Sequence, residues 1–525
     1  MSRETQAVTR RAGLVGACTF ASRILGFIRD AVIMHFFAGQ GSDIFVVAFT
    51  FPNTLRRLTA EGSLAIAFVP VFTSTHEKEG HEAARRMFAS MTGVAFAVLV
   101  ILVALGIAAA PAITYITGAG FARIPGKFEQ TVSLLRYFFP YLLFVSLTAL
   151  AGGALNSYRR FFAPAFAPVL LNISIITSIA LLSEPLWNRG FPSVFSTAPG
   201  VLAGGTLQLL LQIIFLKKSG LLVLPAFNFR HPGVIKVLKL TAPMVLGAAA
   251  YQVMMILSRL FSSLLPEGTP TYIYIASRLV ELPQAVFATA LATAALPTLS
   301  RYRARNNLRG IKTTYIHALG TALYVALPAC TGLVLLGEPV ISVLYQRGEF
   351  TLPMMRATAE TLKFMSLQVL AIAVVRQTVQ VFYANENTKI PVLGGIAALI
   401  AFTLLSLLLM YRLLHVGLAL AMTLAATAQA AFLVFMLRRM LGKLGFGQLA
   451  RRSIKWAVAS AVMGAGVWYI KGFGNWETGG NSVHNILVLA VAVTAGVIIF
   501  FAASWLLKIP EFRQIKTSIF RRGNR

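Results

Sequence analysis

Acidic residues are scarce in this chain of 525 residues: 17 Asp and Glu stand against 47 Lys and Arg, a formal net charge of +30. Charged residues of both signs reach only 12%, about half of what a soluble domain carries. The two cysteines, Cys18 and Cys330, both sit in apolar stretches, so neither a disulfide framework nor a four-thiolate metal site can be built. No H-E-x-x-H, nucleophile elbow or P-loop is present. The histidines (His35, His76, His81, His231, His317, His415 and His484) fall in loops or at helix ends. Enzyme chemistry therefore has no visible carrier. The positive charge is not accompanied by any nucleic-acid-binding module either. Strand-like alternation is missing too, which argues against an outer-membrane barrel.

What the chain does have is apolar sequence. Hydrophobic types make up 57% before 41 glycines are counted, and mean hydropathy is +0.74. A spanning helix needs about 20 mostly apolar residues. Fourteen segments qualify, at 12–36, 43–72, 87–115, 131–157, 162–183, 197–216, 238–264, 271–298, 313–337, 354–383, 390–411, 414–437, 453–471 and 484–507. The expectation is an all-α polytopic membrane protein. Arg10-Arg11 ahead of Leu14-Val15-Gly16-Ala17-Cys18 resembles an export signal with a lipoprotein cleavage site. The apolar run there is short for that role, and the segment reads as an uncleaved first span.

Basic residues test this topology. With the N-terminus inside, the great majority fall in cytoplasmic segments, and only Arg123, Lys127, Arg189, Arg347, Arg412 and Lys471 fall outside. That asymmetry implies an even number of spans and both termini in the cytoplasm. A weak repeat supports it. Ser22-Arg23 in span one matches Ser258-Arg259 in span seven, and span two ends at Phe68-Val69-Pro70 as span eight ends at Ala295-Leu296-Pro297. Six spans separate equivalent ones, so the halves share orientation, as in transporters with parallel repeats. The expected organisation is a six-helix lobe over 1–220, a second over 221–445, and two extra helices with a basic tail over 446–525. The lobes would be related by a pseudo-two-fold axis along the membrane normal.

Charges inside the spans carry the functional signal. The bases are Arg23, Arg29, Arg56, Arg57, Arg136, Arg259, Arg278, Arg356, Lys363 and Arg376; the acids are Asp30, Asp43, Glu61, Glu281 and Glu360. Each costs roughly 2.5–3.5 kcal/mol at the bilayer centre, so the central ones must pair internally or line a watery cavity. Local pairing accounts for some: Arg57 with Glu61, Arg278 with Glu281, Arg29 with Asp30. It does not account for the surplus of bases. A basic cavity short of acids suits an anionic ligand, and the planar arginine fork suits phosphate oxygens. On span one, Ser22, Gly26 and Arg29 share a face, and Arg23, Gly26 and Asp30 share an overlapping one. Gly26 allows close approach of a backbone or ligand. On span two, Pro52 bends the helix just before Asn53, Arg56 and Arg57. Asn172-Ile173-Ser174 matches a glycosylation sequon but lies within a span and is set aside.

These strings resemble a known family. Ser22-Arg23-Ile24-Leu25-Gly26-Phe27-Ile28-Arg29-Asp30, then Asp43, Phe51-Pro52-Asn53-Thr54-Leu55-Arg56-Arg57, Ala60-Glu61-Gly62 and Ala67-Phe68-Val69-Pro70 are similar to the MurJ (MviN) lipid II flippases. Pro164-Ala165-Phe166-Ala167-Pro168, Leu171-Asn172-Ile173 and Arg278-Leu279-Val280-Glu281-Leu282-Pro283 extend the likeness. The resemblance implies an alternating-access flippase of the multidrug/oligosaccharidyl-lipid/polysaccharide exporter superfamily in the bacterial cytoplasmic membrane. Its substrate would be lipid II, the undecaprenyl-diphosphate-linked peptidoglycan precursor. Arg23, Arg29, Arg56 and Arg278 match the family's essential cavity arginines, and Ser22, Asp43, Asn53 and Glu281 match further cavity positions.

The resemblance also implies that the last two helices form a lipid-tail groove. Partners would be membrane lipids and other cell-wall synthesis proteins. No cofactor is implied, and coupling to the membrane potential or a monovalent cation is the expected drive. One relative binds sodium between helices seven, eleven and twelve through acidic and amide groups. Here helices eleven and twelve hold no acid, only Thr403, Ser406, Thr423, Thr427 and Gln429. Three other readings stay open on the residues alone: a flippase for another polyprenyl-diphosphate glycan, a small-molecule exporter of the superfamily, and an enzyme acting on lipid-linked sugars.

Overall fold

The computed structural model describes residues 3–58, 64–284, 289–477, 479 and 482–513. The motif residues Ala60, Glu61 and Gly62 lie outside them, and so does the expected Arg57–Glu61 pair. All regular structure among the described residues is helical, and the chain forms two compact units, Met1–Gly268 and Thr269–Arg525.

The first unit holds α1 (Arg3–Phe37), α2 (Gln40–Arg56), α3 (Leu64–Glu79), α4 (His81–Ala108), α5 (Ala110–Gly118), α6 (Lys127–Phe138), α7 (Tyr141–Ser157), α8 (Phe162–Trp187), α9 (Thr197–Lys218) and α10 (Pro232–Ser263). The second holds α11 (Thr269–Pro283), α12 (Thr289–Ala304), α13 (Leu308–Tyr345), α14 (Leu352–Ser366), α15 (Gln368–Ala384), α16 (Lys389–Leu441), α17 (Phe446–Lys471) and α18 (Val483–Leu506). Each of the fourteen expected spans falls on one of these helices or on a consecutive pair. Eight helical stretches are long and apolar enough to cross a membrane on those criteria alone.

Several spans are broken rather than straight. Pro140 precedes α7 and splits the fourth span into α6 and α7, because proline lacks the N–H a continuing helix needs. The third span breaks at Ala109, with Pro111 in the first turn of α5. The eleventh and twelfth spans run together in α16, interrupted at Leu414 (φ 49°, ψ −130°). The helix folds back there. Gly394 lies against Leu433, and the Gly417 Cα approaches the Leu409 carbonyl closely.

Packing follows small residues, as expected where lipid supplies no hydrophobic drive between helices. Gly200 and Gly204 of α9 lie directly on the backbone of α8 at Ile175 and Leu171. In the first unit Phe68, Phe72, Met87, Phe88 and Leu155 build a core with Val234 and Val237 of α10. Thus α10, which the sequence repeat assigns to the second half, packs in the first compact unit. In the second unit α17 and α18 pack on α13. Tyr324 donates to Ser504 Oγ at 2.9 Å, and the buried Trp456 donates from Nε1 to Glu511 at 3.3 Å.

Candidate functional site

The polar face of α1 is built against α8. Arg29 is 7% exposed and Asp30 fully buried. The guanidinium reaches Asp30 Oδ1 from Nη2 at 2.6 Å and from Nε at 3.0 Å. Its Nη1 donates to Asn172 Oδ1 at 3.2 Å, and Asn172 Nδ2 donates to the Ser22 carbonyl at 3.1 Å. Local pairing therefore claims Arg29. A buried charge pair of this kind holds geometry more than it adds stability. The buried Gly26 lies on the same helix. Arg23, one turn earlier, is half-buried and makes no side-chain hydrogen bond or ion pair among the described residues.

On α2 the proline lies within the helix: Pro52 is buried, and a π-type turn follows at residues 57–58. Asn53 Oδ1 accepts two hydrogen bonds from Arg56, from Nε at 3.0 Å and from Nη2 at 2.8 Å. One amide oxygen thus grips an edge of the guanidinium and sets its plane. Arg57, also half-buried, makes no side-chain hydrogen bond or ion pair among the described residues. Arg56 ends α2 and Arg57 opens the π-type turn, so their charges gather where backbone is already irregular.

Asp43 has a different environment from its neighbours on α2. It is fully buried, takes a 3.0 Å ion pair from Lys127 Nζ, and accepts from the Gly268 N–H at 2.9 Å. Lys127 is fully buried too, with its ammonium 4.4 Å from the Phe121 ring centre. From sequence Lys127 reads as one of the few bases in an outer loop. The structure makes it the counter-ion of a site residue. The one sequence signal was that Asp43 needed a cation and had none at helical spacing.

In the second unit Arg278 and Glu281 stand one turn apart on α11 at 3.9 Å, both partly exposed. The other bases read as intramembrane are less central. Arg356 lies in the second turn of α14 and pairs with Glu477 of the loop after α17. Lys363, Arg376 and Arg136 are exposed, and Arg259 is buried.

Two further polar groups were given no site role from sequence, Asn172 entering only as a sequon and within the family string Leu171-Asn172-Ile173. That sequon was set aside, yet from α8 Asn172 bonds both Arg29 and the Ser22 carbonyl of α1. Tyr158, just past α7, bridges His81 Nδ1 at 2.8 Å and His76 Nδ1 at 3.1 Å, and burial pushes its hydroxyl above the usual phenol range. No group of three or more His, Cys, Asp or Glu suited to a metal occurs among the described residues. Of the hydroxyls on α16, Thr423 donates to the Phe364 carbonyl, Thr427 to Thr423 and Thr403 to Leu399. Buried Ser406 has no hydrogen-bond partner among the described residues.

Comparison with known proteins completes the picture. The family model described as lipid II flippase MurJ matches residues 33–488. A relative from Vibrio cholerae, described as a probable lipid II flippase MurJ, is 33% identical over 510 residues, covering 94% of this chain and 95% of that protein. A lipid II flippase MurJ from Burkholderia cenocepacia is 32% identical over 430 residues, covering 81% and 83%. Among solved structures, a lipid II flippase MurJ in an inward closed conformation superposes with TM-score 0.76 at 23% identity, covering 98% of this chain and all of that one. An inward-facing multidrug transporter of the MATE family in the MOP superfamily superposes with TM-score 0.66 at 14% identity, covering 80% and 95%. These two likenesses speak to the fold, and the sequence matches speak to the family. A multi-pass helical chain with this arginine set, matched over most of its length by that family model, belongs to the MurJ family of lipid II flippases.

Proposed function

We propose that this chain is a lipid II flippase. It moves the lipid-linked peptidoglycan precursor from the inner to the outer leaflet of the bacterial cytoplasmic membrane by alternating access. No bond is made or broken, and both termini lie in the cytoplasm. The observation that carries the site assignment is Arg56, which donates two hydrogen bonds to Asn53 Oδ1 at the end of a proline-containing helix. Arg56 oriented this way, Arg57 beside it and Arg23 half-buried on α1 concentrate guanidinium charge of the kind that suits a diphosphate. In the second unit Arg278, with Glu281 beside it on α11, offers a guanidinium of the same kind. Arg29, Asp30, Ser22 and Gly26 keep the α1 face in shape, and Asp43 holds Lys127 in place.

The drive in this reading is electrical. The potential, negative inside, favours outward movement of uncompensated negative charge by roughly 2.3 kcal/mol per charge per 100 mV. The acid-free α16 supports this over a carboxylate-bound cation.

The test is complementation. The chain is expressed in a bacterium depleted of its own lipid II flippase. The fraction of precursor reachable by a periplasmic cleaving enzyme is then measured. Restored accessibility, lost in Arg56→Ala at equal membrane content, supports both transport and the arginine role. Correct insertion without restored accessibility would redirect the assignment to another polyprenyl-linked glycan or to a small molecule.

A further inference from the structure

From the last turn of α9 through the first turns of α10 the chain runs from Lys217 to Leu240 without one acidic residue. Its five bases, Lys217, Lys218, Arg230, Lys236 and Lys239, are all exposed. Interleaved with them are large apolar side chains that point away from the protein: Leu224 is 88% exposed, Phe227 61% and Phe229 53%.

The inner side of this segment is firmly held. The Ala226 N–H donates to the Ala89 carbonyl of α4 at 2.9 Å. A Cβ at Gly93 would lie 2.3 Å from the Ala226 carbonyl oxygen, so only glycine lets the segment lie this close. Leu221, Val234 and Val237 are buried in the first unit's core beside Met87 and Met91. The segment thus has a fixed apolar inner side and an apolar, basic outer side.

Its depth follows from the same contacts. Ala89 lies eight residues into α4, about 12 Å along the helix axis, at the start of the third expected span, 87–115. The loop backbone is therefore pinned at the membrane boundary. Water is a poor solvent for Leu224, Phe227 and Phe229, and hydrocarbon is a poor one for five cations. Only the headgroup layer accommodates both, with lysine stems reaching outward to phosphate.

We propose that residues 217–240 are an interfacial anchor. Leu224, Phe227 and Phe229 enter the headgroup–acyl boundary, and the five bases bind anionic phospholipid headgroups. The leaflet is the cytoplasmic one under the orientation proposed above. Charge complementarity selects an anionic lipid surface over a second copy of the chain, whose matching segment would carry the same five positive charges.

The test uses the full-length chain with Cys18→Ala and Cys330→Ala, and a single Leu224→Cys position carrying an environment-sensitive fluorophore. It is placed in nanodiscs of phosphatidylcholine, alone or mixed with phosphatidylglycerol. Both faces of a disc carry the same lipid, so the readout depends neither on orientation nor on transport of any substrate. The expected result is blue-shifted emission in anionic discs, quenched by lipids with a headgroup-level nitroxide. The ratio of shielded to exposed probe should fall roughly fivefold for each base replaced by Gln at Arg230, Lys236 or Lys239. A probe equally water-accessible in both discs would overturn the proposal. So would a probe that is shielded yet not quenched by the nitroxide lipids, because protein rather than lipid would then cover the segment.

Discussion

At the residue scale, the arginines of the first unit divide into two kinds. Arg29 is locked by Asp30 and Asn172, whereas Arg56 is aimed by Asn53. The two should respond differently to substitution. Replacing Arg56 by Lys keeps the charge but loses the fork that Asn53 grips, so lipid II accessibility in the complementation assay should fall nearly as far as for Arg56→Ala. Full activity of Arg56→Lys would show that charge alone suffices there. For Asp43→Asn the expected defect is in stability, because it leaves Lys127 as a fully buried, uncompensated cation. Removing one partner of such a pair costs about 3–5 kcal/mol, and a lowered Tm of the purified chain would show it. The double variant Asp43→Asn/Lys127→Met should recover most of that loss. An unchanged Tm for Asp43→Asn would mean that Lys127 finds another partner.

At the element scale, glycine decides which helices approach. Gly200 sits where a Cβ would come within 2.8 Å of the Ile175 Cα, while Gly16 of α1 has nothing within 4 Å. Gly200→Val should therefore destabilise by about 1–3 kcal/mol through forced separation of α8 and α9. Gly16→Ala should be neutral or slightly stabilising. The thermal unfolding of the two variants gives the comparison, and equal Tm values would refute the packing argument. The turn inside α16 makes the opposite prediction. Leu414 holds a positive φ that suits glycine, and such a residue stores about 1–3 kcal/mol. Leu414→Gly should raise Tm, and a clear decrease would mean that the Leu414 side chain contributes more than the strain costs.

At the scale of the whole molecule, the proposed drive turns on the charge that crosses the membrane. If negative charge on the substrate drives the cycle, collapsing the membrane potential with an ionophore should sharply reduce periplasmic accessibility of the precursor. Flipping that continues unchanged without a potential would exclude that drive.

The sequence by itself determined the class, the spans and the family. Runs of about 20 apolar residues cannot be read as anything but helices in lipid, because every backbone group there must be satisfied within its own segment. The proline-arginine string on α2 was legible for a similar reason: proline and charge are both costly in a membrane and are kept together only where backbone is already irregular. Which charges were already paired was not legible. Lys127 lies 84 residues from Asp43, and Asn172 lies 143 from Arg29; neither distance leaves a periodic trace. The break at Ala109 and the placement of α10 with the first compact unit were likewise set by packing. Helical periodicity constrains neighbours three or four residues apart, whereas a buried ion pair is satisfied by any chain segment that tertiary structure brings within reach.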